Sequence, residues 1–226
     1  MLEQINFNWI YLSYPWGPSC PSYGNGPKIK LSQDKSMCCG DSCNTVEFSA
    51  SNHIGTHYDF PLHFNPEGKN VLDYSPESFF HSNISFIDLN LKPGELVTQL
   101  HIKNHMNRIS KNTTLLLIRT GMAVLRDQKD YWENGCGIDE GVADFLRENF
   151  NKIQCIGIDT ISITAFQSRQ LGRVVHKEFL CGEKPILIIE DINLEPLLDK
   201  IPKFIIALPL RIEGGDGAPA TIIAGV

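Results

Sequence analysis

Six short runs of largely apolar residues, at 84–89, 115–118, 153–158, 186–189, 204–208 and 221–224, constrain this chain more than any other feature. Runs this brief, apolar at nearly every position and separated by turn residues, suit strands buried on both faces. Their β-branched content favours sheet over a buried helix. Two stretches between them carry the helical period instead. Residues 139–150 place Val142, Phe145 and Leu146 at helical spacing behind Asp139, a candidate N-cap, and residues 169–180 place Leu171, Val175 and Phe179 four apart on one face. Many strands with few helices predict an α/β or α+β fold, a mixed-sheet sandwich. No linker-like shift in composition, low-complexity run or internal repeat divides residues 1–226, so one domain is expected.

The second constraint is chemical. Residues 52–65 put three of the seven histidines and one aspartate within the eleven positions from His53 to His63. In an extended strand, residues two apart share a face, so His53, Gly55, His57 and Asp59 point the same way. A helix would turn Asp59 away, and Gly55 and Pro61 both disfavour one. Pro61 ends the strand register and lets His63 swing back over the same space. Nitrogen and oxygen donors gathered in this way suit zinc, manganese or iron(II) without a thiolate. A single histidine more often hydrogen-bonds to backbone; four such groups at this spacing favour a metal.

At 226 residues, 42% hydrophobic and 20% charged, the chain has the composition of a soluble globular protein. A net charge of −6 gives no electrostatic reason to expect nucleic acid or an anionic membrane as partner. No run is long enough to span a bilayer, and residues 1–14 lack the basic start and apolar core of a signal peptide. Seven cysteines without a pairing pattern are expected to be reduced, which suits a cytoplasmic protein. Cys38, Cys39 and Cys43 lie close together but form no Cys-x-x-Cys pair, and they are read as structural or incidental thiols. Residues 9–30 are a series of turns holding Trp9, Tyr11, Tyr14, Trp16 and Tyr23, aromatics for a core or for an apolar pocket.

Ligands of such a site are commonly drawn from distant elements, and the downstream candidates are His176 and Glu190. His176 borders the apolar face of the second helix; Glu190 directly follows a buried strand, where open sheets often place binding groups. Chemistry alone leaves both open, since a helical histidine is usually at the surface and a strand-end glutamate usually solvated. Asp159 and Asp216 read as ordinary turn residues, and His81, His101 and His105 as surface or core residues.

The pattern His-x-Gly-Thr-His-x-Asp-x-Pro-x-His-Phe at 53–64 resembles the signature of the metal-dependent hydrolase family that includes bacterial kynurenine formamidase, isatin hydrolase and the cyclase-type proteins. Every specified position is present. Similar segments run along almost the whole chain: Leu12-Ser13, preceded by Tyr11 where Asp is usual; Arg119-Thr120-Gly121, followed by Met122 where Trp is common; Gly157 to Ser162; and Glu213 to Ala218 before Pro219. The resemblance implies a swivelling β/β/α fold and one or two divalent ions, zinc or manganese, on His53, His57, Asp59, His176 and Glu190, with Asp59 bridging. It implies cleavage of a small amide or lactam, arylformamidase-like, by a water made acidic by the ion, with His63 as acid and base. Trp16, Phe60 and Phe64 are the expected substrate contacts, and a homodimer or homotetramer the expected assembly. A lactone hydrolase, a cyclase or dehydratase on another carbonyl compound, and a non-catalytic binding protein are the alternatives.

Overall fold

The computed structural model describes residues 7–226; residues 1–6, part of the stretch read above for a leader, lie outside it. In chain order the strands are β1 (Trp9–Tyr11), β2 (Lys30–Lys35), β3 (Thr45–Ser49), β4 (His57–Asp59), β5 (Phe80–His81), β6 (Ile84–Asp88), β7 (Leu96–Val97), β8 (Leu115–Arg119), β9 (Gly137–Ile138), β10 (Cys155–Ile158), β11 (Leu187–Glu190), β12 (Phe204–Pro209) and β13 (Gly217–Gly225). The α-helices are α1 (Gln99–Asn104), α2 (Asp130–Glu133), α3 (Val142–Asn149) and α4 (Arg169–Leu180). All six apolar runs are strands.

One large mixed sheet has the order β5-β12-β13-β4-β11-β10-β8-β6, with β1 also on β13. Strands β6, β8, β10 and β11 run parallel to one another, and β4, β13, β12 and β5 continue the sheet antiparallel. Every residue of β8, β10 and β11 is buried, as near-continuous apolar sequence requires. Alternation sends Leu116, Ile118, Ile156, Ile158 and Ile188 to one face, against Ile102 of α1, Val142 and Leu146 of α3, and Val175 and Phe179 of α4. It sends Leu115, Leu117, Cys155, Leu187 and Ile189 to the other face, against Tyr58, Ile205, Ala207, Ile222 and Ala224. Strands β12 and β13 thus curl back over the parallel strands. The layers are helices, parallel strands and antiparallel strands, an α+β architecture.

Two local expectations change. Helix α3 starts at Val142 behind Gly141, whose left-handed backbone (φ 76°) places it at the cap; Asp139 accepts a hydrogen bond from the adjacent Glu140 N–H instead. The extended reading of His53–Asp59 holds only for β4, because Gly55 (φ 70°) turns the chain just before it. The β2–β3 ribbon is largely exposed, and its tip carries Cys38, Cys39 and Cys43, also exposed and unpaired. No helix among the described residues is long and apolar enough to cross a membrane.

Candidate metal centre

Strand β4 lies between β11 and β13, with His57 opposite Glu190 and Pro219, and Asp59 opposite Ile188 and Gly217. This register carries the site. It brings the carboxylate that ends a parallel strand beside the imidazole and carboxylate of β4, at the carboxyl ends of the parallel strands where ligands commonly bind. Helix α4 adds His176 from above the same strand ends.

The ring orientations are fixed by backbone. His57 Nδ1 donates to Gly55 O at 2.7 Å, and His176 Nδ1 to Gly172 O at 2.8 Å. Because a carbonyl can only accept, both Nε2 atoms are turned inward, as in metal-ligating histidines. His57 Nε2 lies 3.4 Å from Asp59 Oδ1 and 3.4 Å from Glu190 Oε2; His176 Nε2 lies 3.5 Å from Asp59 Oδ2 and 3.5 Å from Glu190 Oε1. These four contacts exceed good hydrogen-bond length but match the separation of atoms ligating one ion. Glu190 Oε1 is aimed by Ser162 Oγ at 3.0 Å and Ile163 N–H at 2.7 Å.

His53 and His63 occupy the more open side. His53 Nδ1 is 2.7 Å from Asp59 Oδ1, and its Nε2 is 3.0 Å from Asp216 Oδ2. Pro61 opens a single 3₁₀ turn, Pro61–His63, which folds His63 back so that its ring stacks on His53 at 3.9 Å. His63 Nδ1 donates to Asp216 Oδ2 at 2.7 Å, leaving Nε2 for a substrate atom.

The electrostatics call for a cation. Asp59 and Glu190 are 1% and 3% exposed, and a buried carboxylate pair is stable only beside positive charge. Burial disfavours the charged form of each imidazole, yet hydrogen bonds to Asp216 and Asp59 push His53 up to about 10, and the negative charges of Asp59 and Glu190 beside it push His176 up to about 10. His57 is likewise raised, against burial, by Asp59. For Asp59 burial acts upward, but the imidazoles of His176, His53 and His57 around it hold it well below the usual carboxylate range. Among the described residues three donor groups result: His53–His57–Asp59, Asp59–His176–Glu190 and His53–His63–Asp216. Asp59 joins the first two, which leaves room for one ion or two.

The structure therefore brings His53, His57, Asp59, His63, His176 and Glu190 to one cavity of about 350 Å³. Phe64 lines it too, stacked on His176 at 4.7 Å. Phe60 does not. In a strand of period two, Tyr58 and Phe60 point opposite to His57 and Asp59, and Phe60 packs at zero exposure against Tyr58 and Phe79. Burying a phenylalanine is worth about 2 kcal/mol, which a polar cavity would not return. Trp16 lies behind the wall: its Nε1 donates to Ile54 O at 3.1 Å, and it lines a separate apolar cavity with Tyr11, Tyr14 and Phe48.

Asp216 is the residue that sequence reasoning missed. It sits in a glycine-rich turn, 153 positions after His63, and nothing local distinguishes it from other turn aspartates. Asp159 does hold a turn, accepting from Thr120 and Gly121 backbone N–H groups. Asp191, next to Glu190, is clamped by Arg126 at 2.8 and 2.6 Å and by the Tyr131 hydroxyl at 2.5 Å, which fixes the end of β11.

Known proteins share this architecture. A family model described as "Putative cyclase" matches residues 10–165. The chain is 28% identical over 221 residues to a kynurenine formamidase of Bacillus cereus, covering 95% of this chain and 96% of that one. It is 30% identical over 186 residues to kynurenine formamidase of Geobacillus thermodenitrificans, covering 79% and 78% respectively. Isatin hydrolase A from Ralstonia solanacearum has a similar fold, with a TM-score of 0.79 at 20% identity over 96% of this chain and 91% of that one. The family model spans well over half of the sequence and includes the whole stretch from His53 to His63; the chain belongs to the cyclase family.

Proposed function

We propose that the protein is a metal-dependent hydrolase of a non-peptide amide, arylformamidase-like, releasing formate from an N-formyl arylamine such as N-formylkynurenine. The observation that carries this reading is the convergence of inward-facing His57 and His176 Nε2 atoms on buried Asp59 and Glu190, with the His63–Asp216 pair alongside. The kynurenine formamidase relatives support the choice of amide. His57, Asp59, His176 and Glu190, with His53 beside them, hold one or two divalent ions, zinc or manganese. An ion bound there lowers the pKa of water and polarises a carbonyl. His63, oriented by Asp216, takes a proton from the attacking water at Nε2 and returns it to the departing amine nitrogen. Phe64 offers its face to the substrate ring, while Trp16 supports the Gly55 turn from behind.

In the same proposal the protein acts in the cytoplasm, supported by seven unpaired cysteines, and assembles as a homodimer or homotetramer. Exposed Leu31, Val46 and Phe48 on the β2–β3 ribbon favour such an assembly, which sedimentation would read. The function is tested by supplying zinc or manganese and measuring formate from N-formylkynurenine, with isatin as a second substrate. His63→Ala is expected to lose roughly 10²–10⁴-fold in kcat while keeping its metal. Turnover of neither substrate would refute the substrate assignment, and wild-type kcat in the variant would refute the role of His63.

A further inference from the structure

Two arginines stand in the wall of the site cavity without a part in the chemistry above. Arg169 and Arg173 line it from the first turns of α4 and, with His176, occupy positions i, i+4 and i+7, one face of the helix. Among the described residues, carboxylate ion pairs engage Arg119, Arg126 and Arg147 but neither of these two. Adjacent guanidinium groups on one helix face repel each other.

Tyr23 lines the same cavity, and its hydroxyl is shielded from solvent without a hydrogen-bond partner. A buried hydroxyl ordinarily finds one. Burial raises the phenol's pKa, with Arg169 and Arg173 acting the other way, so the group stays a neutral donor. The Arg169 guanidinium lies 4.0 Å over the Phe166 ring, which packs edge-on against Tyr23 at 5.5 Å and Trp132 at 5.1 Å. Stacking holds the guanidinium plane and leaves its edge N–H groups free to bind.

We propose that Tyr23, Arg169 and Arg173 form an anion-binding subsite, which selects N-acyl arylamines bearing a carboxylate near the scissile amide. This rests on the hydrolase reading for the amide, though the anion subsite stands on its own contacts. At 1.5 Å per residue, Arg173 and Arg169 lie about 4.5 and 10.5 Å along α4 from His176, towards the helix's first turn. The subsite supplies two positive groups and one neutral donor, which match a carboxylate.

Two measurements on the full-length chain test this. Calorimetry compares anthranilate with anthranilamide, which differ in the carboxylate. The acid should bind at least tenfold more tightly, the preference should vanish in an R169Q/R173Q double variant, fall several-fold in Tyr23→Phe, and be partly retained in Arg173→Lys. With metal supplied, kcat/KM for N-formylanthranilate should exceed that for formanilide at least tenfold, mainly through KM, and the ratio should approach one in the double variant. Equal binding of acid and amide, or a preference unchanged in the double variant, overturns the subsite. If no amide is cleaved, the hydrolase reading falls and the calorimetry alone still decides the subsite.

Discussion

Asp216 takes both His53 and His63 on one carboxylate oxygen, while Asn52 donates to its other oxygen at 2.6 Å. Hydrogen bonds from His53, then His63, hold it below the usual carboxylate range, against burial. An anion at this point fixes the His63 tautomer and stabilises the ring once it takes a proton. Asp216→Asn keeps the shape and removes the charge. We expect kcat to fall roughly 10²-fold or more, with metal content unchanged, because Asp216 lies outside the pair of donor groups joined by Asp59. Steady-state kinetics with elemental analysis of the same sample would check this, and an unchanged kcat would remove Asp216 from the mechanism. The sequence marked His63 through its spacing from Asp59 and Pro61. It could not mark Asp216, because their pairing depends on β13 lying against β4, a contact between segments more than 150 residues apart.

At the scale of elements, α4 holds His176 by pressing its backbone on the loop after β10. A Cβ on Gly172 would lie 2.0–2.5 Å from Thr164 Oγ1, Cγ2 and Cβ, and Gly172 O is the acceptor that orients His176. By helix propensity alone, Gly172→Ala would stabilise by about 1 kcal/mol. The clash is worth more: overpacking costs about 1–3 kcal/mol, and Thr164 Cβ cannot rotate away. The prediction is a net loss of stability in denaturant unfolding, with weaker metal binding as His176 is displaced, and recovery in a Gly172→Ala/Thr164→Gly pair. A stabilised single variant would contradict it. Helix α4 was legible end to end from its apolar period, and β8, β10 and β11 from their runs. The β2–β3 ribbon was not, because exposed polar strands lack an apolar pattern. The turn at Gly55 was also hidden, since a left-handed glycine and an extended one read alike.

For the whole molecule, acid stability turns on a group far from the chemistry. His81, on strand β5 beyond β12, is 2% exposed, and its Nε2 has no hydrogen-bond partner. Burial alone pushes its pKa from 6.5 down to about 4. The folded form keeps the ring neutral while the unfolded chain takes a proton below 6.5, so its contribution is full above that pH and is lost as the pH falls towards 4. Between pH 7.5 and 5 the wild type should lose about 2 kcal/mol more stability than His81→Leu, measured by urea unfolding. Parallel pH slopes would show that His81 is not held neutral.

Asp59 gathers ligands from β4, β11 and α4 around one position, which a cation would occupy. Elemental analysis after dialysis against zinc or manganese, combined with anomalous diffraction at the metal edge, tests that directly. One or two ions per chain are expected within bonding distance of Asp59, His57, His176 and Glu190, with a loss of at least 10²-fold in affinity in His176→Ala. A wild-type chain that retains no ion, or one whose ion lies away from Asp59, would contradict it.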